Sequence, residues 1–319
     1  MKDEYVLYEY FMGILKKKIP HKATLSATIT DILLIDKDAV YRRLRGEVNF
    51  TFPEIALISK KLGISLDEVI GMQSDFSRPS QLKLNRHVDP SETDYRIWDE
   101  YVQKIAVLQD DSKAEMAEAS NMLPQSLFLN FEYLTRFYFF KWEQSASCEP
   151  RKYREILCSD RLRKIHAKLT MYLKRIDSCF LLDFLIFQHI VTEIKYYAGI
   201  YRMEQEDVQR LKEELFLLLD YMEKITVSGK FEETGHRVDI FISDINIDTN
   251  FFYIKGSSYG LSVIKVLTLA SVTSIDEETV DLIQTWINCL KHKSTLISVS
   301  GGKKRTLFFD AQRKIIETL

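Results

Sequence analysis

Apolar positions recur at helical spacing through most of the chain. Leu7, Tyr8, Phe11, Met12 and Leu15 form one stripe, which predicts a helix over residues 5–19, stopped by Pro20. Lys16, Lys17 and Lys18 lie at its C-terminal end, where cations suit the helix dipole. Leu25, Ile29 and Leu33 predict a second helix over 23–34, and after a break at Ile35-Asp36 a third follows over 36–47. In that third segment Asp36 is a natural N-cap, and Val40 and Leu44 share one face. Lys37, Tyr41, Arg42 and Arg45 lie largely off that face, and Gly46 is placed to end the helix. Thr51 and Glu54 form a capping box stapled by Phe50 and Ile55, opening a fourth helix with Ile55, Ile58 and Leu62 inside and Gly63 at its end. Ser65 and Glu68, stapled by Ile64 and Val69, open a short fifth helix near Gly71.

Residues 73–90 are polar, contain two prolines and lack helical period, which predicts a linker with 81–88 in extended form. From Ser91 the helical pattern returns. Trp98, Tyr101, Val102, Ile105 and Leu108 form a strong stripe, 114–122 reads as a further helix, and Pro124 opens one running to Trp142. The aromatic density over 128–142 fits a large core, with a pocket as the alternative. Residues 153–178 are more basic, and 180–201 reads as a nearly all-round apolar, central helix. Over 205–226, Val208, Leu211, Leu215, Leu218, Met222 and Ile225 alternate spacings of three and four, the seam of a coiled coil. The span is short for an autonomous coiled coil, so it reads either as packing within the domain or as a dimer interface through Leu211, Leu215, Leu218 and Met222.

After Gly229 the period shortens. Segments 238–242, 251–255, 261–272 and 295–299 read as strands, 256–260 as a hairpin turn, 277–291 as a helix and 307–319 as a last helix. The expected fold is therefore mainly α. It comprises a five-helix head over 1–72, a linker over 73–90, a helical domain over 91–228 and a small α+β module with an antiparallel sheet over 229–319. The last two are either separate or one body.

Composition narrows the functional classes. Gly 11 and Pro 6 are few for 319 residues, which favours long regular elements. A net charge of −2 carries no global signal for nucleic acid, so any such site has to be a local patch. Cys148, Cys158, Cys179 and Cys289 form no CxxC pair and suit buried free thiols in a reducing compartment. The acidic start is unlike a secretory leader. The longest apolar runs, such as 180–187 with Asp183 inside it, are too short to span a bilayer; a cytoplasmic protein without membrane association is expected.

The local patch is the third helix, a basic amphipathic segment that suits a DNA major groove or, alternatively, a solvated surface. Its setting decides. The order helix, turn, basic helix, Arg45-Gly46, then a capped helix ending in Leu62-Gly63-Ile64-Ser65-Leu66-Asp67-Glu68 resembles the Cro/repressor-type (XRE-like) helix-turn-helix regulators. The wording Tyr41-Arg42-Arg43-Leu44-Arg45-Gly46-Glu47 is similar to a BetR-like bacterial subgroup, and the likeness covers residues 25–71. Family members usually bury the residues six and three positions before the glycine. Val40 fits the first position, Arg43 occupies the second and Leu44 is the apolar one, so the helix is expected to be longer or rotated.

The resemblance implies a transcriptional regulator that binds double-stranded DNA, helix two lying across the backbone and helix three entering the groove, commonly as a homodimer. Lys37, Tyr41, Arg42 and Arg45 are the candidates for base edges or nearby phosphates; Thr24, Asn49 and Thr51 are candidates for phosphates. Two rival readings remain open, namely a head that contacts other proteins, and a body that acts on a phosphorylated ligand.

For the second rival, Gly301-Gly302-Lys303-Lys304-Arg305 is the one phosphate-cradle candidate, and it lacks the P-loop spacing. No catalytic residues, metal site or cofactor are predicted. The six histidines fall in no ligand spacing, and His189 reads as a core histidine. Asp239, Asp244 and Asp248 lack the glycine and closing glutamate of a calcium loop. A small-molecule effector is compatible with the body but unidentified.

Overall fold

The computed structural model describes residues 2–64, 66, 69, 83–85, 95–257, 259–267 and 270–319. The chain divides into two compact units, Met1–Gln81 and Leu82–Leu319.

In the first unit, α1 (Lys2–Lys18), α2 (Lys22–Leu33), α3 (Lys37–Leu44) and α4 (Phe52–Leu62) enclose a core centred on Phe11, Leu15, Ile29, Val40 and Ile58. A three-residue turn, Leu34-Ile35-Asp36, joins α2 to α3. Leu34 takes the left-handed conformation there (φ 54°) and donates its N–H to the Thr30 carbonyl. Glycine is the usual occupant of that conformation, because a side chain strains it by about 1–2 kcal/mol. Asp36 does stand at the N-cap of α3, but its carboxylate makes no capping bond. The predicted Ser65–Glu68 capping box lies outside the described residues, although Leu66 and Val69 pack on the same core. Most of the 73–90 linker also lies outside them.

The second unit overturns the expectation of a mainly α body with a small antiparallel module. It is built on an eight-stranded mixed sheet ordered β1-β7-β6-β5-β2-β3-β4-β8. Its strands are β1 (Lys83–Asn85), β2 (Glu115–Ser120), β3 (Asp177–Leu182), β4 (Val238–Ser243), β5 (Phe251–Lys255), β6 (Gly260–Leu267), β7 (Ala270–Ser274) and β8 (Ser294–Leu296). Strands β2, β3 and β4 run parallel in the centre, and every other pairing is antiparallel. Parallel neighbours need long crossovers. The supposed helical domain is those crossovers. From β2 to β3 the chain passes through α6 (Gln125–Phe128), α7 (Glu132–Ala146), a short 3-10 turn and α8 (Asp160–Leu173). From β3 to β4 it passes through α9 (Ile186–Gly199) and α10 (Gln205–Ser228).

Two segments read as helix are therefore central strands. Glu115-Met-Ala-Glu-Ala-Ser is rich in helix formers, yet it sits between β5 and β3, and tertiary pairing overrides its propensity. Ala117 and Ala119 face α11 (Glu277–Lys291) across a small core with Leu181, Val280, Ile283 and Ile287. On the other face the main core covers β2 to β6, with α5 (Arg96–Ala106), α7, α9, α10 and α12 (Gly302–Glu317) contributing to it. Cys179 to Leu182 is buried on both faces, which erases the alternation that marks a half-exposed strand. The segment 261–272 is likewise two strands, β6 and β7, not one.

Leu211, Leu215, Leu218 and Met222 are all fully buried in the main core, so the heptad seam packs inside the chain and is not a surface for a second copy. Leu215→Ala should therefore lower stability by about 2–5 kcal/mol in urea denaturation. Leu217→Ala, on the 58% exposed side of the same helix, should stay within about 0.5 kcal/mol. Equal effects at the two positions would contradict this packing.

Candidate nucleic-acid interface

Helix α3 buries Val40 completely and half-buries Leu44 and Tyr41, leaving Lys37 exposed in the first turn and Arg42 exposed on the far side. Arg45 follows as the C-cap, also exposed, and Gly46 (φ 80°) turns the chain away. Asn49 and Thr51 are exposed in the connection to α4, Thr51 as its N-cap residue. Thr24 is exposed in the first turn of α2, whose N-cap residue His21 makes no side-chain capping bond. Helix N-termini of this kind carry backbone N–H groups suited to phosphate oxygens. Of the predicted contacts, only Tyr41 is partly withdrawn from solvent.

Two of the exposed arginines already share a counter-charge. Glu47 lies 3.6 Å from Arg42 Nε and 2.9 Å from Arg45 Nε. Arg42 and Arg45 retain 59% and 63% exposure, so these pairs contribute at most about 1 kcal/mol and yield readily to a stronger anion. Sequence reading did not identify this role for Glu47. Its position directly after Arg45-Gly46 was the available signal.

Arg43 stands where the resemblance predicts an apolar residue, and it points inward. Nε and Nη2 donate to the two oxygens of Glu54 at 3.2 and 2.9 Å, and Nη1 donates to the Ala39 carbonyl at 3.3 Å. The guanidinium also lies 6.0 Å from the centre of the Phe50 ring. Phe50 N–H in turn donates to the Tyr8 hydroxyl, tying α1 to the same corner. Glu54 additionally accepts the Thr51 N–H at 2.7 Å, which is the glutamate half of the predicted capping box. Burial pushes the Glu54 carboxyl up, but the bonds from Thr51 and Arg43 outweigh it and hold it below its ordinary value. A bidentate ion pair stands where the resemblance predicts a second apolar contact.

Elsewhere the expected sites take other roles. Residues 301–305 are not a loop: Gly301 (φ 73°) is the N-cap of α12, and its Cα sits against the Leu296 carbonyl, where a Cβ would come within 2.5 Å. Lys304 bonds Asp244 and Thr295, each at 2.6 Å, and Arg305 bonds the Ile297 carbonyl at 3.0 Å. Two of the three proposed phosphate clamps are thus engaged within the fold.

His189 is exposed. The core histidine is His166, 2% exposed between Trp98 and Phe139, its pKa pushed down to about 4 by burial. All four cysteines are free, but Cys148 and Cys289 are exposed rather than buried. Among the described residues no helix is long and apolar enough to cross a membrane. Comparison with family models, with curated proteins and with solved structures finds no match to this chain.

The Arg43–Glu54 pair is less than a fifth exposed on either side. Arg43→Met should cost the head about 1.5–3 kcal/mol near neutral pH, read from its unfolding transition in the full chain. Glu54 is held below its ordinary value of 4.5, so the pair's contribution is complete above that value and fades as pH falls through the lowered one. Wild type and variant should converge in acid. A stability gap that stays constant down to about pH 3 would contradict this assignment.

Proposed function

We propose that this protein is a transcriptional regulator that binds double-stranded DNA sequence-specifically through α3. The observation that carries the reading is the division of labour along α3. Val40 is sealed in the core and Arg43 is locked to Glu54, while Lys37, Arg42 and Arg45 remain exposed along a helix held by a three-residue turn. In this reading α3 enters the major groove. Lys37, Arg42 and Arg45 reach base edges or flanking phosphates, Tyr41 contributes its hydroxyl from the helix flank, and Thr24, Asn49 and Thr51 meet the backbone. Glu47 acts as a resident counter-ion that DNA phosphates displace. The protein would work in a reducing cytoplasm and bind paired half-sites as a homodimer. Its dimer contact would lie outside the α10 seam, which is consumed by the core.

A second reading has its own observation. Leu34, Phe52 and Leu57 are exposed apolar residues on the same unit, a feature that suits docking to another protein. Salt dependence separates the two.

Selection from a random duplex library with the full-length protein should return an enriched sequence. Arg42→Ala and Arg45→Ala should each weaken binding to it by about 1–3 kcal/mol where a base is read. Where a phosphate is contacted instead, each should reduce the slope of log K against log salt by about one. Glu47→Gln should bind roughly threefold to tenfold more tightly, because it frees both arginines and removes a like charge from the phosphates. No association with any duplex at about 50 mM salt would exclude DNA as the partner.

A further inference from the structure

The sheet of the second unit carries two opposite charges on a face that is otherwise lined mainly by apolar side chains. Glu118 lies in the middle of β2 and pairs in register with Phe252 of β5, which pairs with Val263 of β6. Lys265 is two residues beyond Val263 and so shares that face, two strands away from Glu118. Strand spacing and rise separate the two Cα atoms by roughly 12 Å, too far for upright side chains to form a direct ion pair. Their neighbours on this face, Met116, Phe180, Ile254, Leu261 and Val263, are almost completely buried. Glu118 and Lys265 differ: like Phe252 beside them, and Tyr101 and Tyr259, both keep accessible surface within this packed face, which marks a hollow there.

The hollow is under-satisfied. Lys265 Nζ donates to Gln125 Oε1 at 2.9 Å, but the Glu118 carboxylate accepts no hydrogen bond among the described residues. Tyr101 from α5 and Tyr259 at the start of β6 lie close by, and the Tyr259 hydroxyl is buried without a partner. The hairpin bearing Tyr259 is pinned over the site. Ser257 N–H and Oγ both donate to Asp111, and Gly256 approaches so closely that a Cβ there would meet Leu108 at 2.5 Å. Burial raises the Glu118 carboxyl, with Lys265 only partly offsetting it. Burial likewise depresses the Lys265 ammonium, with Glu118 only partly offsetting that. Among the described residues neither group has a counter-charge within contact distance.

A lone cation would leave Lys265 unpaired, a lone anion would leave Glu118 unpaired, and a neutral molecule would leave both. We propose that this hollow binds a free α-amino acid, its ammonium against Glu118, its carboxylate against Lys265 and its side chain among Tyr101, Phe252 and Tyr259. Such a ligand would be the effector of the second unit.

The test uses the full-length protein and each standard α-amino acid singly, read by thermal unfolding and titration calorimetry. DNA takes no part, so failure here is distinct from failure of the DNA-binding reading. At a hundredfold excess over Kd, at least one amino acid should raise Tm by roughly 5 °C or more. Its N-acetyl and carboxamide derivatives, each missing one charge, should bind at least tenfold more weakly. Glu118→Gln and Lys265→Met should each abolish the shift. If either variant fails to fold, the derivative series on the unaltered protein decides. The proposal is overturned if no amino acid shifts Tm, if the blocked derivatives bind as well as the parent, or if the shift survives in both variants.

Discussion

Strand β2 is hemmed in on all four sides, and the second unit depends on that confinement. Its edges are taken by parallel β3 and antiparallel β5, and its faces by the main core and by α11. A strand so placed satisfies its backbone groups on both edges, and it tolerates only small side chains where a helix presses close. Ala117 and Ala119 meet that requirement on the α11 side. Because β2 borders both the parallel and the antiparallel halves, it is also where the sheet changes character. The first crossover leaves from its C-terminal end, and β5 of the β5-β6-β7 meander pairs along its other edge.

That same confinement explains why the body was hard to read and the head was not. In the head, each helix has one wet face, so apolar spacing, capping residues and glycines report directly on the structure; α1 to α4 fall where the pattern puts them. In the body, the decisive strands are packed over on both faces. Glu115 to Ser120 carries helix-forming residues, and Cys179 to Leu182 is a continuous apolar run that periodicity cannot assign to helix or strand. The leucine seam of α10 was legible as a seam, but spacing alone does not say whether the partner is another chain or the same one. The sheet it covers supplies the answer.

The candidate interface shows a finer limit of the same kind. The resemblance marks the position of Arg43 as apolar, and a charge there suggests a longer or rotated helix. In the structure Glu54 is both the capping residue of α4 and the acceptor for Arg43. One carboxylate fixes the start of α4 and the rotation of α3 together. The arginines on either side of Arg43 are consequently left outward, and the specificity proposed for this helix rests on a residue that would never touch DNA.

Two polar groups on one strand show how satisfaction separates scaffold from site. Ser120 and Glu118 lie two residues apart on the same face of β2. At Ser120 every partner is in place. Its hydroxyl meets Asn250 Oδ1 at 2.8 Å, the same oxygen accepts the Asn121 N–H at 2.7 Å, and Asn121 Nδ2 reaches the Ile247 carbonyl at 2.8 Å. Asp183 completes this corner by accepting the N–H groups of Leu185 and Ile247. The corner is a hydrogen-bonded latch at the carboxyl ends of the parallel strands, where open α/β sheets commonly hold ligands. Two residues earlier the inventory does not close. Among the described residues, a half-buried carboxylate without a donor faces a lysine outside contact distance, and a buried tyrosine hydroxyl beside them has no partner. A fold that satisfies the first cluster so fully can satisfy buried groups where only stability is required. Leaving the second cluster open imposes a desolvation cost that a bound zwitterion would relieve.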